Sequence, residues 1–220
     1  SKETVTRFSH ECVEFLKKFN VKLTVVACNT ASSWSLNSLK KKFKFPVIGV
    51  IKPGVKEACR KTSNFKVGVI GTKATVGSAS YSKEIQKVNP RIKVYQKACP
   101  LFVPVVEENW LNSKITFTIA EEYLRQLRAK RIDTLILGCT HYPLLKTVLK
   151  DVFKRGINII DSSISVSAEV KEFLGHNGIE NNSRKKGMVR FYVTDDPWSF
   201  ENVSKFFLRK NVKVNKVNLL

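Results

Sequence analysis

A length of 220 residues with 43% hydrophobic and 26% charged side chains excludes a disordered or fibrous chain, and no apolar run approaches the roughly 20 residues of a membrane-spanning helix. Thirty-nine basic against 18 acidic residues give a net charge of +21, but the excess is spread along the chain and its two local clusters, 40–44 and 184–186, are typical of solvated surface. The charge alone therefore does not favour nucleic-acid binding, although it would attract a small anionic substrate.

Apolar periodicity predicts helices and strands in alternation along the whole chain. The spacing from Val5 to Phe19 predicts a helix, and the β-branched run from Leu23 to Ala27 predicts a buried strand. Further helices are expected near 31–43, 54–61, 80–88, 102–108, 114–129, 143–153, 163–175 and 197–208. Further strands are expected at 47–50, 66–70, 93–96, 134–137, 157–160, 189–193 and 212–217, and an exposed loop at 175–187. This order indicates an α/β fold with mostly parallel sheets flanked by helices.

Five cysteines, at positions 12, 28, 59, 99 and 139, form no CxxC pair, so neither a disulfide framework nor a zinc site is predicted, and free thiols indicate a reducing compartment. Cys28 and Cys139 each follow a predicted strand directly and are followed by small polar residues and a helix. Ligands bind outside the carboxyl ends of parallel strands, so two such ends facing one another would place two thiols around one small cavity. A helix amino terminus beside each cysteine would favour the thiolate.

Four segments, VVACNTASS (25–33), VIGTKAT (69–75), CPLFVPVVEE (99–108) and LGCTHYPLL (137–145), resemble those of glutamate racemases in the aspartate/glutamate racemase superfamily, and the similarity runs from residue 2 to residue 200. The resemblance implies a cytoplasmic enzyme that interconverts L- and D-glutamate without pyridoxal phosphate, metal or another cofactor. Its product would supply peptidoglycan synthesis. It implies a small-molecule substrate, no membrane partner and, in many relatives, a homodimer.

Racemisation removes the α-proton from one face of the carbon and returns a proton to the other, which a single base cannot easily do. The resemblance implies that Cys28 and Cys139 are the two bases, with one thiolate abstracting while the opposing thiol donates. It implies that His141 and Glu107 assist Cys139, with Glu108 as the alternative if the register differs by one residue. The residues expected to bind the substrate's carboxylates and ammonium group are Asn29, Thr30, Thr72, Thr75, Thr140 and His141.

Each of these assignments has a structural alternative. Either cysteine, taken alone, is more typical of a buried thiol at a strand end, whereas the pair in these contexts favours catalysis. His141 could cap a helix, and Thr72 and Thr75 could be turn or cap residues where a strand joins a helix. Glu107 could mark only the solvent edge of an apolar helix. The remaining three cysteines are interpreted as structural.

The resemblance also implies two α/β lobes with the active site in the cleft between them. Lobe one would take residues 1–52 and 164–220, and lobe two would take residues 53–163. Family members begin with a strand and a turn containing an Asp-Ser pair, and reach a Tyr-Gly pair that would fall just before Ser1. We therefore expect a fragment with little activity and with exposed apolar surface beside Leu23 to Ala27.

Three other functions stay open at this point. A racemase of aspartate or of another amino acid would differ in the residues that read the side-chain carboxylate. A one-cysteine hydrolase would use a thiolate nucleophile with His141 as its base and would make Cys28 dispensable. A basic nucleic-acid-binding protein would hold duplex DNA at about 200 mM salt, whereas polyelectrolyte attraction would vanish there.

Overall fold

The computed structural model describes residues 1–154, 156–183, 185 and 187–219, and helices alternate with strands along most of this length. The helices are α1 Lys2–Lys17, α2 Asn29–Lys42, α3 Ile51–Lys61, α4 Lys73–Gly77, α5 Ser80–Val88, α6 Phe102–Glu107, α7 Lys114–Ala129, α8 Lys146–Phe153, α9 Ser162–His176 and α10 Pro197–Leu208. The strands are β1 Thr24–Val26, β2 Val47–Gly49, β3 Lys66–Gly71, β4 Lys93–Ala98, β5 Thr134–Gly138, β6 Asn158–Asp161, β7 Phe191–Val193 and β8 Val214–Lys216.

The described strands form three parallel sheets. The largest has the order β4-β3-β5-β6, and two smaller sheets pair β1 with β2 and β7 with β8. In the large sheet Gly71 of β3 lies opposite Gly138 of β5, so these two strands end at the same edge. The predicted fold class, α/β with parallel sheets flanked by helices, is confirmed.

The four-stranded sheet has an apolar core on each of its two faces. Successive side chains of a strand point to opposite faces, so they enter the two cores alternately. Helices α6, α7 and α8 cover one face, and α3 and α5 cover the other. The first face receives Ile70, Leu135 and Leu137, whereas the second receives Val67, Val69 and Ile136. Because both faces are covered, every residue of β5 is buried, which explains its uninterrupted apolar sequence.

Several element boundaries differ from the sequence-based expectations. The helix α4 was not predicted, and a short 3₁₀ helix, Tyr142–Leu145, precedes α8 where one continuous helix was expected. The strands β7 and β8 are shorter than predicted. Two residues of the predicted basic cluster, Arg184 and Lys186, lie outside the described residues. Among the residues described, no helix has both the length and the apolar character needed to cross a bilayer.

Two carboxylates hold the loops at opposite ends of the large sheet. Asp133, just before β5, accepts hydrogen bonds from the segment Thr62 to Asn64, including one from the Thr62 hydroxyl at 2.7 Å. Asp161, the last residue of β6, accepts from the Lys146 ammonium at 2.6 Å and caps α9 through the backbone N–H of Ser163 at 2.9 Å. Burial acts to raise the pKa of each carboxyl, but these hydrogen bonds outweigh it and the pKa of each lies below its ordinary value.

Candidate active site

Cys28 occupies the turn between β1 and α2. It is the residue that precedes the first helical position, its backbone is extended, and its side chain is exposed. The first turn of α2 contains no acidic residue, and the amino terminus of a helix presents free N–H groups to an anion. The helix terminus that the sequence predicted beside this cysteine is therefore present.

A cluster of three threonine hydroxyls joins α2 to the turn after β3. The Thr30 oxygen lies 2.9 Å from the Thr72 oxygen and 3.0 Å from the Thr75 oxygen. Thr72 also caps α4 by accepting from the backbone N–H of Thr75 at 3.2 Å. Thr72 is thus a helix-cap residue, which was the alternative to a binding role. It also contacts Thr30, another residue predicted to bind the substrate.

Cys139 directly follows β5, and its side chain is buried, with 8% of the residue exposed. Burial raises the pKa of Cys139 to about 11, and a negative charge on Cys28 raises it too, whereas the backbone N–H of His141 lowers it. The backbone N–H groups that follow this turn act in the direction that the sequence predicted, towards the thiolate, but they do not determine the net shift. A 3₁₀ helix follows this turn, and desolvation outweighs the nearby N–H groups.

Three side chains form a chain that ends on Cys139. The Nδ1 atom of His141 lies 3.9 Å from the Cys139 sulfur, and its Nε2 atom lies 3.1 Å from a carboxylate oxygen of Glu107. A carboxylate only accepts, so Nε2 carries a hydrogen, and in the neutral imidazole Nδ1 is then an acceptor that faces the thiol. Thr140 also lies beside Nδ1, at 3.4 Å. The ring of His141 makes no helix-capping hydrogen bond.

The register question between Glu107 and Glu108 has a structural answer. Glu107 is the last residue of α6 and contacts His141, whereas Glu108 follows the helix and is exposed. Glu107 itself keeps 48% of its side chain exposed, so solvent screens its charge in part. The structure therefore brings Glu107, not its neighbour, to the histidine.

Asn29 makes a contact that the sequence did not reveal. Its side chain is buried, and its carbonyl oxygen accepts a hydrogen bond of 2.6 Å from the hydroxyl of Tyr81. Tyr81 in turn lies 3.3 Å from the hydroxyl of Ser162. The sequence offered no signal for either partner, because an aromatic residue at a helical core position and a serine before a helix are both common.

A cavity of about 710 Å³ adjoins the Cys139 side of the site. Its lining includes Glu107, Thr140 and His141 together with Cys12 and residues of β7 and α10, whereas Cys28 and Cys139 are not part of it. Within the described ranges, no three histidine, cysteine or acidic residues come together in a way that could hold a metal ion.

Comparisons with known proteins agree on one family. The family model for Asp/Glu/Hydantoin racemase matches residues 1–169. The chain is 46% identical over 213 residues to a glutamate racemase of Aquifex aeolicus, covering 97% of this chain and 80% of that protein. It superposes on a glutamate racemase isoform of Bacillus anthracis with a TM-score of 0.95 and 38% identity, covering 100% of this chain and 82% of the other. A glutamate racemase of Francisella tularensis in complex with D-glutamate gives a TM-score of 0.92 and 36% identity over the same shares.

Proposed function

The chain belongs to the Asp/Glu/Hydantoin racemase family, and on this premise we infer that it is an isomerase that interconverts L- and D-glutamate. The family resemblance read from four sequence segments is confirmed over the whole chain. Residues 1–169, which the family model matches, include both cysteine-bearing turns. We propose that Cys28 and Cys139 are the two bases of the reaction.

The proposed proton transfer starts with the proton on Cys139. A thiol whose pKa is raised to about 11 stays protonated at neutral pH and can serve as the acid. Cys28, exposed at the amino terminus of α2, then removes the α-proton of one enantiomer while Cys139 delivers its own proton to the opposite face. The two sulfurs exchange their protonation states in each turnover.

The reverse direction needs Cys139 as the base, and its burial opposes this. We propose that Nδ1 of His141 accepts the thiol proton, that Glu107 stabilises the imidazolium through Nε2, and that Cys28, protonated by solvent, donates to the opposite face of the α-carbon. This chain of three side chains is the observation that carries the proposal, because it gives a buried thiol a route to ionisation. A charged hydrogen bond of this kind is stronger than a neutral one.

Substrate binding is assigned to the polar groups around the two turns. The free N–H groups at the start of α2 suit a carboxylate, and hydroxyls and amides suit the remaining polar groups of glutamate. The proposed contacts are Asn29, Thr30, Thr72, Thr75, Thr140 and His141. We also propose that the enzyme works in the cytoplasm, where its five free cysteines stay reduced, that its D-glutamate supplies peptidoglycan, and that it assembles as a homodimer.

Deuterium wash-in at the α-carbon tests the assignment of the two bases, and long incubation in D₂O detects even slow turnover. The parent chain should incorporate deuterium into both enantiomers of glutamate. Cys28→Ser and Cys139→Ser should each lose exchange from one enantiomer, and from opposite ones, by at least about a thousandfold. Cys59→Ser, which alters a half-buried thiol on α3, is the matched control and should exchange like the parent.

The same assay separates the alternatives. Equal exchange in the Cys28 and Cys139 variants would remove the two-base assignment. Hydrolysis of an amide or ester that survives Cys28→Ser would point to a one-cysteine hydrolase. Faster exchange of aspartate than of glutamate would reassign the substrate.

A further inference from the structure

One fully buried side chain touches both cysteine-bearing turns. Tyr81, on α5, donates its hydroxyl hydrogen to the side-chain oxygen of Asn29, the residue that follows Cys28. Its ring packs against Gly138, the residue that precedes Cys139, where an added Cβ atom would lie 3.3 Å from the ring. Tyr81 thus spans the space between the two turns.

The hydrogen-bond directions around this tyrosine are determined. Its single hydroxyl hydrogen goes to Asn29, so the Ser162 hydroxyl, 3.3 Å away, donates to the tyrosine oxygen. Gly54 makes room for this contact, because an added Cβ there would lie 3.2 Å from the Ser162 oxygen. Burial raises the pKa of Tyr81 well above its ordinary value, so the hydroxyl keeps its hydrogen and remains a donor.

The donor fixes which way the Asn29 amide faces. With its oxygen bonded to Tyr81, the amide leaves its NH₂ group to donate elsewhere, and that group has no hydrogen-bond partner among the residues the structure describes. An NH₂ group attracts a carboxylate, whereas a flipped amide would turn its oxygen toward the same ligand and repel it. The orientation of this one amide therefore matters for an anionic substrate.

We propose that Tyr81 is a positioning residue for glutamate binding: its hydroxyl holds the Asn29 amide with the NH₂ group toward the substrate, and its ring spaces the Cys28 turn from the Cys139 turn. The proposal rests on the proposed function, since it names the ligand of Asn29. It concerns substrate binding and not proton transfer, so an experiment can contradict it without contradicting the assignment of the two bases.

A double-mutant cycle on binding tests the proposal. Tyr81→Phe keeps the ring and removes only the donor, and we expect D-glutamate affinity, measured by calorimetry, to fall about tenfold, with kcat changed less than about threefold. In an Asn29→Ala background the same substitution should lower affinity by less than about twofold, because the amide through which it acts is gone. Tyr123→Phe, which removes a hydroxyl that accepts from the backbone N–H of Leu101, is the matched control and should leave affinity unchanged.

A ligand-free measurement makes the result independent of turnover. In ¹⁵N-labelled protein the side-chain NH₂ resonances of Asn29 should shift and broaden in Tyr81→Phe and stay in place in Tyr123→Phe. Unmoved Asn29 resonances, or an equal loss of affinity in both backgrounds of the cycle, would overturn the proposal. Failure of the racemase assignment would instead appear in the deuterium exchange of the cysteine variants, with the Asn29 spectra unaffected.

Discussion

The two cysteine-bearing turns have the same local sequence pattern and different surroundings. Each cysteine lies just after a parallel strand and is followed by a polar residue and a helical segment, yet Cys28 is exposed and Cys139 is buried. Around Cys28 the nearest feature is the start of an α-helix. Around Cys139 the features are a 3₁₀ helix, an imidazole and a carboxylate.

This difference is consistent with the complementary steps that we propose for the two thiols. The thiol at the helix terminus is open to solvent, whereas the buried thiol holds its proton and needs an acceptor in contact with it. His141 lies in contact with the buried thiol, and Glu107 contacts His141. The duplicated sequence pattern therefore does not imply duplicated chemistry.

Thiol alkylation should reveal the largest contrast between the two turns. With a pKa of about 11, only about one Cys139 thiol in a thousand is ionised at pH 8, and burial further limits access. Iodoacetamide followed by peptide mass spectrometry should find Cys28 modified about a thousandfold faster than Cys139 at that pH. The Cys139 rate should then rise about tenfold per pH unit until about pH 11. Equal rates at pH 8 would contradict the contrast.

Close packing around Gly138, the residue before Cys139, should make this position less tolerant of an added methyl group than Gly77 at the end of α4. An added Cβ at Gly138 would lie 2.8 Å from the carbonyl oxygen of Ile70, whereas one at Gly77 would meet nothing within 4 Å. We expect Gly138→Ala to lower the free energy of unfolding by about 2 kcal/mol, and Gly77→Ala, inside α4, to leave it unchanged or raised by less than about 1 kcal/mol. Urea denaturation of both variants measures this, and a smaller loss for Gly138→Ala than for Gly77→Ala would refute the packing argument.

The smallest catalytic effect is expected at Glu107, which contacts His141 and not the Cys139 thiol itself. Glu107→Gln keeps a hydrogen-bond acceptor for His141 but removes the charge that stabilises an imidazolium, and partial exposure limits the loss to about tenfold in kcat. Glu108→Gln alters the adjacent exposed carboxylate and should behave like the parent. Rates for both enantiomers of glutamate would be compared by polarimetry. If the two variants were equally impaired, the assignment of Glu107 would fail.

Much of the fold could be predicted from periodicity, because burial of β3 and β5 on both faces imposes their apolar runs directly. The missed helix α4 has only five residues, too few for a helical apolar pattern, and is set by the Thr72 cap. The expected helix over 143–153 begins instead as a 3₁₀ turn. The division into two lobes remains a prediction.

The candidate site could be predicted only where a single segment of sequence supplies both the reactive side chain and the structure that surrounds it. The helix terminus beside Cys28 follows from local sequence, but the raised pKa of Cys139 depends on desolvation by helices distant in the chain. Likewise, the contact from Tyr81 to Asn29 joins residues 52 positions apart. Contacts between residues so far apart in the chain do not appear in the apolar periodicity of the sequence.

The two carboxylates that hold the ends of the large sheet make the protein sensitive to acid. Asp133 and Asp161 have pKa values below those of the unfolded chain, so their stabilising effect is complete above about pH 4, the unfolded value, and is lost as pH falls through the folded values. Protonation would free the segment from Thr62 to Asn64 at one end and Lys146 at the other. Unfolding free energies measured from pH 6 to pH 2 should therefore fall less steeply in Asp133→Asn than in the parent, so that sensitivity to acid depends on these two carboxylates rather than on the thiols proposed as bases.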